Sequence, residues 1–456
     1  MQPVLTISQM QAVDARAVET TLLEDLVERA GTAVAGAALD LMGGAYGRRA
    51  VLLCGKGNNG ADGRVAARLL ARRGVRVTVV SPGEVDAIGE GGQPIDLVVD
   101  AAFGTGFRGT YDAPWVAPGI PVLAVDIPSG VEGDTGRATG SVLRAMATVT
   151  FVALKPGLVQ GDGAALAGEV RVVDIGLPID GYDVAVVDDG DIGALVPPRD
   201  RGGNKWVAAV LVVAGSPGMT GAAALSARAA YRSGAGMVRL GVPGGDPSAL
   251  AAGEAVGIDL AAGRWADVAL EAAGRCHAVV VGPGLGRAEG TADQVLRLVA
   301  SSPVPVVVDA DGLHALGRID APLASRSTVV LTPHDGEYTR LTGEAPGPDR
   351  IAAARRLAVA SGAVALLKGP TTAVADPTGR VLLAMAGTSS LATAGTGDVL
   401  SGVIGALLAR GMPPLEAAAL GAHLHGRAGA LGHRSGLVAG DLPDLVARVL
   451  DAADRG

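Results

Sequence analysis

Short apolar runs of five to eight residues alternate with stretches in which apolar residues recur every three or four positions, and the alternation continues along the chain. The runs read as buried strands and the periodic stretches as amphipathic helices. Alternating in this way, they predict an α/β chain whose parallel sheets carry helices on both faces. In the first half, strands are expected near residues 50–54, 75–80, 96–100, 121–126, 148–153 and 169–174. A helical lead-in should precede them, running to about Met42, with Ser8 and Gln11 at capping-box spacing. The stretch D-D-G-D-I-G-A-L-V-P-P-R-D-R-G-G-N-K, Asp188 to Lys205, is rich in Gly, Pro and charge and has no apolar period. A boundary is expected there, giving domains 1–195 and 196–456. Beyond it, A-A-V-L-V-V-A-G restarts a strand, and T-G-A-A-A-L-S-A-R-A-A-Y-R-S-G-A-G reads as a helix stopped by glycine. Further strands are expected near 277–281, 304–308, 328–331, 363–367 and 381–384, and the last sixty residues read as helical.

Composition narrows the class. A length of 456 residues favours two domains. With 49% hydrophobic residues, 18% charged residues and a formal net charge of -8, the chain lacks the basic field that nucleic acid binding needs. The apolar runs fall far short of the roughly 20 residues of a membrane span, and the N-terminus lacks the basic cluster and apolar core of a secretory signal. No nucleic acid, no membrane and a cytoplasmic location are expected. Cys54 and Cys276 lie in separate apolar runs and read as buried thiols rather than a disulfide or a CxxC site. Lys56, Lys155, Lys205 and Lys368 are the only lysines, so each merits inspection. Glycine- and alanine-rich helices allow close packing between subunits, and a homo-oligomer is expected.

The candidate chemistry lies in loops at strand ends. V-L-L-C-G-K-G-N-N-G-A-D-G, Val51 to Gly63, matches GxGxxG through Gly55, Gly57 and Gly60, yet a redox clamp has no need of Asn58 beside Asn59, or of Asp62. Two more loops, D-A-A-F-G-T-G-F-R-G from Asp100 and D-I-P-S-G from Asp126, fall at carboxyl ends of neighbouring strands, where loops share a crevice. Glycine amides and Arg108 suit phosphate; Asp100, Asp126, the Asn59 amide and the Ser129 hydroxyl suit a cation. Phosphate and cation together suggest a nucleotide, although each aspartate serves equally well as a turn cap. In the second half, T-A-G-T-G-D-V-L-S-G, Thr393 to Gly402, is a glycine turn entering an apolar helix. Such a turn offers amides to an anion and places Asp398 to take a proton from a hydroxyl being phosphorylated, an ordinary N-cap aspartate being the alternative. His423 and His425 stand two apart on a predicted helix, point in different directions and read as packing rather than metal ligands. His277, His314 and His433 receive no role, and His334 falls at a predicted strand end.

With L-T-I-S-Q-M-Q-A-V-D near the start, the three first-half loops resemble the NAD(P)H-hydrate epimerase domain over roughly residues 1–190. The resemblance implies a Rossmann-like three-layer domain. It implies that Asn58, Asn59, Gly60, Ala61 and Asp62, with Gly104, Thr105, Gly106, Phe107, Arg108, Gly109, Thr110 and Asp126, contact a hydrated nicotinamide nucleotide, NADHX or NADPHX. It also implies that Asn59, Asp100 and Ser129 hold potassium. The reaction it implies needs an acid or base near the ring, and Asp126 is the candidate. Ala61 departs from the family pattern, where glycine is usual, and fits only if the backbone there is helical.

In series, V-A-G-S-P-G-M-T-G, V-V-V-G-P-G-L-G, V-V-V-D-A-D-G-L, L-T-P-H-D-G-E, L-L-K-G-P-T-T and A-G-T-G-D resemble the ADP- or ATP-dependent NAD(P)H-hydrate dehydratase, a branch of the ribokinase-like superfamily, over roughly residues 200–450. That implies a three-layer α/β/α domain with Asp398 as catalytic base and Gly395, Thr396 and Gly397 as anion hole. Lys368, Gly369, Pro370, Thr371 and Thr372, with Gly397, are implied to contact ADP or ATP. Ala222, Gly284, His334 and Asp398 are implied to contact the hydrated substrate, and magnesium to offset phosphoryl charge. Met219 stands where the family has an aromatic residue and Trp206 where it has glycine, which leaves any role of Lys205 in doubt. The expected whole is an epimerase feeding a dehydratase that repairs hydrated NADH and NADPH. The alternatives are a ribokinase-class kinase of a vitamin precursor fused to a redox Rossmann domain, and a non-catalytic nucleotide-binding scaffold.

Overall fold

Strands that are apolar along their whole length need cover on both faces, and the computed structural model, which describes residues 1–19, 21–198, 202–245 and 253–453, supplies it in two compact units that divide between Tyr182 and Asp183. The division falls ahead of the Asp188–Lys205 segment and of the 195/196 boundary expected from it. The physical reason is Val184–Val186, a strand too short to stand out in the sequence, which pairs in parallel with Val381–Ala384 of the second unit.

In the first unit, β1 (Arg49–Cys54), β2 (Arg76–Val80), β3 (Leu97–Ala101), β4 (Val122–Val125), β5 (Ala147–Phe151) and β6 (Glu169–Val173) form a parallel sheet in the order β6-β5-β4-β3-β1-β2. Because β1 neighbours β3 although β2 lies between them in sequence, the chain leaves these two strands in opposite directions and opens a crevice at their carboxyl ends. The pleat sends Ala50, Leu52 and Val99 into one core with α1 (Ile7–Ala17), α2 (Leu23–Met42) and α3 (Asn58–Arg72), and Val51, Leu53 and Val98 into a second core on the other face. This is the Rossmann-like arrangement expected.

Two local expectations need correction. The lead-in is not one helix: α1 ends at Ala17, and α2 begins after Leu22, an extended residue with no side-chain cap. The capping box is formed by Thr6 and Gln9, not by Ser8 and Gln11: Thr6 Oγ1 accepts from the Gln9 amide (3.2 Å) and Gln9 Oε1 from the Thr6 amide (2.9 Å). Starting at Ile7 aligns Ile7, Met10, Val13 and Ala17 on the buried face, which leaves Ser8 inside the first turn.

The second unit holds β7 (Val184–Val186), β8 (Ala209–Val213), β9 (Met237–Gly241), β10 (Val256–Ile258), β11 (Ala278–Val281), β12 (Val306–Val308), β13 (Val329–Leu331), β14 (Val364–Leu367), β15 (Thr372–Ala375) and β16 (Val381–Ala384). Their order is β7-β16-β15-β14-β13-β12-β11-β8-β9-β10, with β15 antiparallel to both neighbours. The sequence pattern did not reveal β7, β9, β10 or β15, which are short or, as with Arg239 in β9, interrupted by charge. Val210 and Val212 share a core with α4 (Thr220–Arg232), α6 (Thr396–Ala409), α7 (Pro414–Leu431) and α8 (Leu442–Ala453). Leu211 and Val213, equally buried, face the other way. After β13 comes α5 (Asp335–Thr342). No helix of the described residues is long and apolar enough to cross a membrane, and both cysteines are free and buried.

Candidate active sites

The loop after β1 enters α3 with Gly57 as an N-cap that makes no side-chain hydrogen bond, leaving first-turn amides at the positive end of the helix for an anion. Close packing fixes glycine at this turn, since a methyl group on Gly60 would lie 1.9 Å from the Gly55 carbonyl oxygen. Ala61 is already helical, its amide donating to the Gly57 carbonyl (3.0 Å), which accommodates its methyl group.

A cavity of about 1030 Å³ lies over the crevice, large enough for a nucleotide. Of the expected residues, Asn58, Asn59, Asp62, Gly104, Thr105, Gly106, Phe107 and Asp126 line it. Gly60, Ala61, Arg108, Gly109 and Thr110 are not in the lining, and Arg108 Nη1 donates to the Phe107 carbonyl (2.9 Å). All three phenylalanines of the chain, Phe103, Phe107 and Phe151, contribute to it. The Phe103 and Phe107 ring centroids lie 4.7 Å apart, giving planar rings an apolar bed.

Asp126 sits just past β4 at φ 67°, with the Ile127 amide donating back to the Val125 carbonyl (2.8 Å), a strained γ-turn. Val152, past β5 at φ 68°, repeats that geometry: the Ala153 amide donates to the Phe151 carbonyl (2.8 Å). Asp126 Oδ1 accepts from Lys155 Nζ (2.6 Å) and Thr150 Oγ1 (3.1 Å). The ammonium also donates to Thr150 Oγ1 (2.7 Å) and the Phe151 carbonyl (3.0 Å), so its three donors are committed while its side chain is 2% exposed. Gly104 packs against both Asn59 and Asp126, a Cβ there falling 3.6 Å from Asp126 Oδ2. Burial, reinforced by repulsion from Asp126, pushes the Asp62 carboxyl up to about 8. Burial also raises Asp14, against the pull of Lys155. The cavity therefore offers an ion-paired carboxylate and a carboxyl that is neutral at pH 7. Lys155 was not assigned a role from the sequence; its one signal was the scarcity of lysine.

Asp100 and Ser129, neither of them in the lining, meet each other. Ser129 donates through Oγ to Asp100 Oδ1 (2.6 Å) and through its amide to Oδ2 (2.9 Å). Burial raises the Asp100 carboxyl, no cation of the described residues pairing with it. Both polar atoms of the Asn59 amide are buried without a hydrogen-bond partner. An orphaned amide oxygen, a buried carboxylate and a hydroxyl are the donors a hard monovalent cation takes, so these residues fit potassium.

In the second unit, Gly395 caps α6 at φ 89°, a conformation open to glycine, and a Cβ there would lie 3.8 Å from Asp398 Oδ2. The Thr396 amide is engaged by the Thr393 carbonyl (3.3 Å). Burial and repulsion from Asp309 push the Asp398 carboxyl up to about 6, against the pull of Lys368. Lys368 follows β14 beside the same turn, and a Cβ on Gly397 would lie 3.6 Å from its Nζ. That ammonium donates to Asp309 Oδ1 (2.9 Å) and lies 3.8 Å from Glu337. In the following loop, Arg350 Nη2 donates to the Lys368 carbonyl (2.5 Å) and a Cβ on Gly369 would meet its guanidinium at 2.7 Å. Thr371 is buried and Pro370 exposed, while Thr372 Oγ1 reaches the Gly369 carbonyl at 3.4 Å. Ala222 and Gly284 adjoin, a Cβ on Gly284 lying 2.9 Å from Ala222 Cβ and 3.0 Å from the Met219 carbonyl.

His334 is mostly exposed and caps α5, its Nδ1 accepting from the amides of Gly336 (3.0 Å) and Glu337 (3.3 Å), which leaves Nε2 to carry the proton. His423 and His425 have different partners, Asp189 (2.8 Å) and the backbone of Thr396. Lys205 lines a different cavity, of about 440 Å³, with Asn204 and Arg410. No group of three or more His, Cys, Asp or Glu able to hold a metal occurs among the described residues.

Comparison with known proteins covers both sites. Residues 210–451 match the family model described as NAD(P)H-hydrate dehydratase, and residues 23–87 and 81–157 match that described as YjeF-related protein N-terminus. A bifunctional NAD(P)H-hydrate repair enzyme Nnr of Salinibacter ruber is 40% identical, over 99% of this chain and 96% of its own. One from Mycobacterium tuberculosis is 42% identical over 83% and 82%. The ADP/ATP-dependent NAD(P)H-hydrate dehydratase of Bacillus subtilis, co-crystallised with ATP/Mg2+, aligns with a TM-score of 0.51 at 28% identity, over 58% of this chain and 97% of that one. A ribokinase-like superfamily protein from Enterococcus faecalis, at 20% identity and a TM-score of 0.55 over 61% and 99%, shares the fold.

Proposed function

Because the chain belongs to the family of bifunctional NAD(P)H-hydrate repair enzymes, we propose that it epimerises hydrated NADH and NADPH in its first unit and dehydrates one epimer in its second, using ADP or ATP. One observation carries the reading: the likeness to the Salinibacter protein runs over 99% of the chain, so the Asp126 and Asp398 sites both lie within it. That favours it over a vitamin-precursor kinase with a redox clamp.

In the first site, the α3 amides and the loop Gly104–Phe107 hold the nucleotide, and the phenylalanines bed its rings. Epimerisation needs the ring hydroxyl to leave as water and water to return on the other face. The ring nitrogen's lone pair supports the carbocation between these steps. One group must protonate the departing hydroxyl and one must accept a proton from the incoming water. Asp126, tied through Oδ1 to Lys155, keeps Oδ2 for the accepting role. Potassium, held by Asn59, Asp100 and Ser129, would offset the buried Asp100 charge.

In the second site, Lys368 and the following loop to Thr372 hold the adenine nucleotide, with the terminal phosphate at the Gly395–Gly397 turn. Asp398 takes the proton as the substrate hydroxyl attacks the terminal phosphorus and the bond to the leaving nucleotide breaks. Phosphate then leaves with its bonding pair and a proton departs from the adjacent ring carbon, restoring the dihydronicotinamide. With ADP the products are NAD(P)H, AMP and phosphate. Ala222, Gly284 and His334 are the substrate contacts of this reading, and Met219 takes the place of an aromatic wall.

Incubating the full chain with hydrated NADH and ADP tests the proposal. The reduced-nicotinamide absorbance should return only when nucleotide is present; no recovery with either ADP or ATP would refute it.

A further inference from the structure

V-V-V-D-A-D-G-L stood out in the sequence, yet the mechanism above leaves Asp309 unused. This carboxylate is 1% exposed and joins four segments. Oδ1 accepts from Lys368 Nζ (2.9 Å), past β14, and from Thr332 Oγ1 (2.8 Å), past β13. Oδ2 accepts from Ser401 Oγ (2.7 Å), on α6 one turn beyond Asp398. The next residue, Ala310, is held at φ 49°, a strained conformation for a residue with a side chain. A Cβ on Gly397 would lie 3.7 Å from Asp309 Oδ2 and 3.6 Å from Lys368 Nζ, so the pair sits directly under the turn assigned to the transferred phosphate.

We propose that Asp309 is a positioning residue for phosphoryl transfer, fixing the Lys368 ammonium beside Gly397, anchoring α6 through Ser401 and setting the charge that Asp398 experiences. The inference rests on the dehydratase reading of this site. Without Asp309, Lys368 would keep Glu337, at 3.8 Å, as its ion-pair partner, with Asp398 acting on it from farther away. The groups acting on Asp398 are Asp309 and Asp311, which raise its proton affinity, and Lys368, which lowers it; His425, pushed down to about 4 by burial, is neutral there. Burial and Asp309 together give Asp398 more proton affinity than an exposed aspartate, which a base facing an alcohol needs.

Asp309→Asn removes the charge and keeps the connections. The new amide oxygen can accept from Lys368 and Thr332. The new NH₂ can donate to Ser401, whose own proton can turn to the Gly397 carbonyl, already 3.0 Å away. The test is the pH dependence of kcat/KM for dehydration in the full chain, with thermal unfolding as the check on folding. In D309N, Asp398 loses a repulsive neighbour and meets an unbalanced Lys368, so the acidic limb should move down by about one pH unit or more. Lys368→Gln should move it up. Opposite movement is a signature that loosened packing would not give. An unmoved limb in folded D309N, or movement of both variants in one direction, would overturn the inference. Should D309N lose its unfolding transition, K368Q decides alone, an upward shift supporting the inference and any other result overturning it. A wild-type chain with no dehydration at all would instead remove the underlying reading.

Discussion

Burial and Asp309 pull the Asp398 proton affinity one way and Lys368 pulls it the other, the balance lying near 6. A base must be deprotonated, so dehydration should rise through about pH 6, level off above it, and fall as the carboxyl protonates below. Asp398→Asn should lower kcat by about 10²–10⁴-fold while calorimetry still shows nucleotide binding. In the other unit, Asp126→Asn should slow epimerisation by a similar factor, read by chromatographic separation of the two epimers. Asp62 gives a stability prediction of its own. Its folded value, near 8, exceeds that of an unfolded aspartate, so folding takes up a proton between about pH 4 and 8, and stability falls as pH rises through that window. Asp62→Asn should therefore unfold at a higher temperature than the parent, with the difference growing from pH 4 to 8; a constant difference would contradict the buried-carboxyl account.

At the scale of elements, the same features that made strands legible hid the chemistry. β1, β4, β8 and β11 are apolar along nearly their whole length and could be read directly, whereas β10 carries Gly257 between its two apolar residues and gave no pattern. The Thr6 and Ser8 starts are chemically alike; only the buried face of α1 chooses between them. The γ-turns at Asp126 and Val152 have no sequence signature, because strain is held by neighbours rather than by local propensity. Where α3 meets the end of β1, Gly60→Ala would drive a methyl into the Gly55 carbonyl and displace the first turn. Epimerisation should be lost while dehydration persists, and loss of both would place the role of Gly60 elsewhere.

On the whole molecule, the two activities make a joint prediction. A dehydratase that takes one epimer leaves the other behind, so the Asp126→Asn chain given a mixture of epimers and ADP should show a rapid partial recovery of reduced nicotinamide and then a slow phase set by spontaneous epimerisation. Adding the Asp398→Asn chain, which supplies only the first activity, should abolish the plateau. A D126N chain that recovers the whole mixture in one fast phase would contradict the division of labour.

The sequence by itself determined that this is an α/β chain and that glycine-rich loops follow several of its strands. Apolar periodicity and close-packed glycine turns are local properties, and local patterns record them. Tertiary structure alone decided where the first unit ends, that Lys155 neutralises Asp126, that Asp62 is kept protonated, and that Asp309 ties Lys368 to the helix bearing Asp398. Those pairings join residues 29 to 92 positions apart. They depend on burial, which turns a modest attraction in water into a strong one, and burial is a property of the folded whole.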